Sequence, residues 1–109
     1  MLLNFWASTC PACIDELVHF QTVADRWSDK GVIVLTVNVG EDELTVLSVI
    51  DSLGLTLPVL LDRNGDVCTT YRRGYPTTFL IDENGIIRAI KDDAFQSPEE
   101  IESMLESLK

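Results

Sequence analysis

Leu3-Asn4-Phe5-Trp6-Ala7-Ser8-Thr9-Cys10-Pro11-Ala12-Cys13 is the stretch that decides the fold. Its first half continues from Leu2 as a short apolar run ending at Trp6, which reads as a buried strand. Ala7-Ser8-Thr9 turns the chain. Cys10-Pro11 then opens a helix, with proline in the first turn where its missing N–H costs nothing. Along that helix Cys13, Leu17, Phe20, Ala24 and Trp27 recur at three- and four-residue steps as one apolar stripe, and Lys30-Gly31 ends it. At a helix start, C-x-x-C puts the second sulfur one turn behind the first. The first faces the unpaired N–H groups and the positive end of the helix dipole. That field favours thiolate and lowers Cys10 below the free value of about 8.5. Cys13 falls on the buried stripe, so it is expected to be shielded and to act second. A strand before the pair and a helix after it is the context that points to redox chemistry.

The rest of the chain alternates in the same way. Val32 to Val39 is β-branched and nearly all apolar, as a central parallel strand should be. Gly40-Glu41-Asp42 leads into a helix over Glu43 to Leu53, closed by Gly54, and Leu57 to Leu61 is a further short strand. Asp62-Arg63-Asn64-Gly65 turns into a short helix from Asp66 to Tyr71. Thr77 to Ile81 and Ile86 to Ile90 flank Asp82-Glu83-Asn84-Gly85, a hairpin signal. Ser97-Pro98-Glu99-Glu100 opens the last helix as N-cap, proline and first-turn acids, with Ile101, Met104, Leu105 and Leu108 as its buried stripe. The order β-α-β-α-β-α-β-β-α predicts an α/β fold with a mixed central sheet and helices on both faces. With 109 residues, the chain has room for one domain, 1–109.

Composition narrows the function. Eighteen acids against eight Lys and Arg give a formal net charge of −10. Such a surface repels phosphate backbones and anionic lipids, so nucleic acid is not an expected partner. Glu99, Glu100, Glu102 and Glu106 read as a solvated helix face. No apolar run approaches the roughly 18 residues that span a bilayer. The first residues already read as a strand, whereas chains usually begin with a few loose residues. An upstream part with further strands, a signal or a membrane anchor is therefore expected in the full-length protein. Beyond the C-x-x-C pair there is one more cysteine, Cys68, and one histidine, His19. A zinc site of paired C-x-x-C motifs would need a second pair, so no metal site is expected. Cys68 reads as a small core residue and His19 as a surface side chain.

Leu3-Asn4-Phe5-Trp6-Ala7 leading into Cys10-Pro11-Ala12-Cys13 resembles the thioredoxin superfamily. Taken with Val37-Asn38-Val39-Gly40-Glu41 and Pro76-Thr77-Thr78-Phe79-Leu80-Ile81-Asp82, it resembles the TlpA-like branch, which includes the ResA and DsbE proteins of cytochrome c maturation. The three motifs come in order and span essentially the whole chain. The resemblance implies a thioredoxin-like fold in which Glu43–Leu61 is the extra α-β unit of this branch. It implies a thiol–disulfide oxidoreductase, most simply an extracytoplasmic reductant of protein disulfides. Apocytochrome c or other secreted thiol proteins would be substrates, and a thiol electron donor at the membrane would lie upstream. The protein would be a monomer with no cofactor besides the Cys10–Cys13 disulfide. The reverse direction, disulfide donation, stays open in the sequence.

Further site residues follow from the resemblance. Taken alone, Tyr75-Pro76 marks a turn or a sheet edge, because proline cannot donate to a ladder. The resemblance implies a cis bond at Pro76, facing the cysteine pair, with Tyr75 lining a groove where an extended substrate pairs with its backbone. Glu41 matches an acid that follows the strand end beneath the cysteines in ResA-like proteins. A partly buried carboxylate there is expected to have a raised pKa and to move protons to or from Cys13; the other reading is a loop glutamate in solvent. Asn4 stands where ordinary thioredoxins carry a buried acid, and an amide exchanges no proton at neutral pH, so that role falls vacant. Thr9 replaces the tryptophan that the family usually places before the first cysteine. Trp6 is a further candidate for the substrate surface, although packing at the strand end explains it equally well.

Two rivals are disfavoured by spacing. A peroxidase of the peroxiredoxin kind needs a hydroxyl residue three positions before the reactive cysteine, and that residue is Ala7. A copper-binding assembly module spaces its cysteines by three residues and carries a late histidine, whereas here the gap is two and His19 follows Cys13 closely.

Overall fold

Residues 1–71 and 74–107 are described by the computed structural model. Five strands, β1 (Leu2–Trp6), β2 (Val34–Val39), β3 (Val59–Asp62), β4 (Thr77–Ile81) and β5 (Ile87–Lys91), alternate with four helices. These are α1 (Pro11–Trp27), α2 (Glu43–Leu53), α3 (Asp66–Tyr71) and α4 (Pro98–Glu106), with a 3-10 turn at Ser28–Lys30 after α1. The sheet order is β3-β2-β1-β4-β5. β1, β2 and β3 run parallel, and β4 runs antiparallel to both β1 and β5. This is the predicted element order.

Three strand starts differ from expectation, each for a local reason, and β3 and β5 each run one residue further than expected. β3 begins at Val59 because Pro58 has no N–H for the ladder and contributes only its carbonyl, to Thr36 N–H at 3.0 Å. β5 begins at Ile87 because the Ile86 amide and carbonyl are both used by Asp82 in closing the hairpin turn. β2 begins at Val34, where its pairing with Leu2 starts.

Strand alternation sends Leu2, Asn4 and Trp6 to one face of the sheet and Leu3 and Phe5 to the other. On the first face Leu2, Trp6 and Leu80 pack with Leu17, Phe20 and Val23 of α1, Val46 of α2 and Ile101 of α4. On the second, Phe5, Val37 and Phe79 are covered by Cys68 of α3, so Cys68 is the small core residue expected. Leu105 is buried and Met104 half-buried on α4; Leu108, the last member of the predicted stripe, lies outside the described residues.

Two of the acids expected to face solvent are instead used in packing. Glu102 accepts the Trp27 indole N–H at 2.7 Å and pairs with Arg26 at 3.2 Å, fastening α4 to α1. Glu100 pairs with Lys91 at 3.1 Å, tying α4 to β5. Phe20 sits at the centre of the first face, fully buried and edge-on to Phe95 with ring centroids 5.8 Å apart. Phe20→Ala is expected to cost about 3–5 kcal/mol, a large share of the stability of a domain this size. Urea denaturation of the two proteins measures it.

Candidate active site

β1 ends at Trp6, and the Ala7–Thr9 turn delivers the chain to α1 with Cys10 as its N-cap. Cys10 and Cys13 are joined in a disulfide with their Cα atoms 5.2 Å apart. The Cys13 amide donates to Cys10 Sγ at 3.2 Å, the capping bond that would also steady a thiolate. Cys10 is half-buried and Cys13 has no exposed surface. Outer and inner sulfur are therefore distinguished, as the stripe predicts, and Thr9, Pro11 and Ala12 form the exposed rim.

β4 begins beside the end of β1, with Thr77 opposite Phe5. Tyr75 and Pro76, immediately before β4, come to that same end of the sheet. The Tyr75–Pro76 bond is cis, as the resemblance implies, and Tyr75 is 43% exposed. Trp6 corrects an expectation. It has no exposed surface and its indole N–H is spent on Thr36 Oγ1 at 3.2 Å. It is core and has no face to offer a substrate.

Glu41 departs from expectation in its protonation. Its carboxylate accepts the Ser8 amide at 2.7 Å, the Ser8 hydroxyl, and Asn38 Nδ2 at 2.9 Å. Burial pushes the group up, but the three hydrogen bonds outweigh it and hold Glu41 below the usual carboxylate range. A carboxylate kept ionised is a poor proton carrier; what it does here is pin the turn that sets Cys10. A depressed acid stabilises the fold above its unfolded value, and that stabilisation is lost as pH falls through the lower folded value. Ser8→Ala removes one of the three bonds. The variant should therefore lag the wild type in urea midpoint at neutral pH, and the gap should narrow as pH falls below the ordinary carboxylate value of 4.5.

The buried acid that the sequence reading passed over is Glu16. It lies three residues after Cys13 on the same buried face of α1, a spacing that makes the two side chains neighbours, and it is fully buried. Oε1 accepts Asn4 Nδ2 at 2.7 Å, and Oε2 accepts the Phe95 amide at 2.7 Å. Burial raises Glu16 to about 7, against the opposing pull of those bonds and of Lys91. The strand position holding Asn4 is thus hydrogen-bonded to an acid reaching in from the helix. An acid inside an apolar stripe is the informative exception, and a reading that counted only apolar residues passed over it. Beside Ala12 a cleft of about 370 Å³ is lined by Asp15, Val18, His19 and Phe95, so the half-buried His19 borders the site rather than standing on open surface.

With the geometry in place, the chain can be set beside known proteins. The family model described as "AhpC/TSA family" matches residues 1–90. The chain belongs to the AhpC/TSA family. Relatives of this AhpC/TSA chain include the thiol-disulfide oxidoreductase ResA of Geobacillus kaustophilus, 39% identical over 110 aligned positions that cover 100% of this chain and 63% of that protein. ResA of Geobacillus thermodenitrificans is 38% identical over the same shares. The chain thus spans less than two thirds of these relatives. Among solved structures, StoA from Bacillus subtilis superposes with a TM-score of 0.83 at 31% identity, over 95% of this chain and 80% of that one. The exposed lipoprotein thioredoxin of Streptococcus pneumoniae gives 0.81 at 30%, over 97% and 82%. The fold is thioredoxin-like, and the ResA-type resemblance of the three motifs holds along the chain.

Proposed function

We propose that this protein is a thiol–disulfide oxidoreductase that reduces protein disulfides outside the cytoplasm through Cys10 and Cys13. The observation that carries the proposal is the asymmetry of the pair: a half-buried Cys10 capping α1 and a fully buried Cys13 with Glu16 one turn behind it. In the reduced protein the Cys10 thiolate attacks one sulfur of a substrate disulfide. A Cys10–substrate bond forms, and the other substrate sulfur leaves as thiolate. The Cys13 thiol then passes its proton to Glu16 and attacks Cys10 Sγ. The mixed disulfide breaks, the second substrate sulfur departs, and Cys10–Cys13 remains oxidised, two electrons having moved to the substrate. An upstream thiol donor restores the dithiol. Tyr75 and Pro76 would present backbone to an extended substrate strand, with Thr9 at the rim.

Extracytoplasmic location is favoured by the likeness to the exposed lipoprotein thioredoxin of Streptococcus pneumoniae, and the reductive direction is the one the ResA-like resemblance of the motifs implies. Apocytochrome c is the substrate class the ResA-like resemblance favours. A peroxidase role within the AhpC/TSA family finds no hydroxyl three residues before Cys10, where Ala7 is buried. The test mixes the reduced protein with a disulfide-bonded acceptor protein under anaerobic conditions. The expected result is one Cys10–Cys13 disulfide formed per acceptor disulfide opened, read by thiol alkylation and mass spectrometry. No transfer over hours would overturn the proposal.

A further inference from the structure

Asn4 Nδ2 donates to Glu16 Oε1 at 2.7 Å and also to Thr78 Oγ1 at 3.0 Å. Its Oδ1 is buried with no hydrogen-bond partner among the described residues. All three residues are fully enclosed. An orphaned buried carbonyl is costly, and this one belongs to the amide that touches Glu16, the acid proposed above to take the Cys13 proton.

The arrangement suits ionised Glu16, whose oxygens accept separately from Asn4 and Phe95. It does not suit the acid form. With a proton on Oε1, an O–H would meet an N–H, and both that hydroxyl and Asn4 Oδ1 would lack partners. Turning the Asn4 amide over exchanges Oδ1 and Nδ2. Oδ1 then accepts the Glu16 O–H, and the Thr78 hydroxyl, able to donate as well as accept, serves the same oxygen. Both amide N–H groups then point where Oδ1 had no partner, but the acid O–H, the strongest donor in the cluster, gains an acceptor, while the Phe95 amide keeps Oε2 throughout.

We propose that Asn4 is a positioning residue for the dithiol reaction: its side-chain amide turns over with the protonation of Glu16, so the carboxyl takes and returns the Cys13 proton without leaving its place. The inference rests on the role given to Glu16 above. Besides Cys13 on its own helix, the charged groups acting on Glu16 are Lys91 of β5, which favours the ionised form, and Asp93 of the following loop, which opposes it. Asp15 and His19 border the adjoining cleft. The proton step balances as S–H broken and O–H formed, with no other reactant.

Isotope-labelled wild type in the disulfide form, where Cys13 does not titrate, is followed by NMR from about pH 5 to pH 9. The Glu16 carboxyl carbon and the Asn4 side-chain amide are expected to move with one shared midpoint, and the Asn4 change should vanish in Glu16→Gln. Asn4→Leu should slow release of the mixed disulfide at least about tenfold and leave capture by Cys10 unchanged. If Glu16 titrates while the Asn4 signals stay fixed, the inference is overturned and the role of Glu16 stands. If Glu16 does not titrate in this range, both fall.

Discussion

Replacing Cys10 with serine is expected to lower disulfide exchange by about three orders of magnitude or more, the scale on which loss of an essential nucleophile acts. Serine keeps the N-cap geometry, since its oxygen can accept the bond that Cys13 N–H now gives to sulfur. The fold should therefore persist, with a urea midpoint like that of the reduced wild type, while activity falls to background. Cys13→Ser separates the two sulfurs. Cys10 still attacks, but nothing buried behind it completes the exchange, so the mixed disulfide with the substrate protein accumulates. A non-reducing gel and intact mass would show that adduct for Cys13→Ser and not for Cys10→Ser. Equal trapping by both variants would contradict the division between outer and inner cysteine.

Glu16→Gln should produce the next largest change. The isosteric amide keeps the volume and removes the proton acceptor beside Cys13. Release of the mixed disulfide is expected to slow by about a hundredfold, the lower range for a general base, with the Cys10 step altered little. The wild-type release rate should rise with pH around 7, following Glu16, and the variant should lose that inflection. Stability carries the same signature with a definite sign. An acid whose folded value is raised to about 7 binds its proton more tightly in the native state. Its contribution is fully present below the unfolded value near 4.5 and is lost as pH climbs through 7. Wild type should therefore lose stability relative to Glu16→Gln between those limits, by on the order of 3 kcal/mol at most. Parallel pH profiles of the two urea midpoints would contradict a raised Glu16.

Much of this site was legible in residues 3–13, because a strand, a tight turn and an N-cap cysteine are all local features. Helix limits such as Glu43–Leu53 could be read from Asp42 before the helix and Gly54 after it, both of which act within a few residues. What escaped depends on contacts distant in sequence. Glu16 is buried because Asn4, 12 residues away, and Phe95, 79 away, meet its two oxygens. Glu41 is held ionised because Ser8, 33 residues away, donates to it twice. Burial pushes both acids upward, and the balance between how deeply each is buried and the donors the fold gathers around it decides which remains ionised. Trp6 shows the reverse case: an aromatic beside a reactive turn could be read as core or as substrate surface, and Thr36 on its indole decides for core.

The most direct test of the central claim is the equilibrium reduction potential of the Cys10–Cys13 pair, titrated in a defined thiol–disulfide buffer. The account predicts a two-electron couple at or below about −270 mV, the range of protein-disulfide reductants. A couple near about −120 mV would make the protein a disulfide donor and contradict the reductive direction; no titratable couple at all would contradict the oxidoreductase itself.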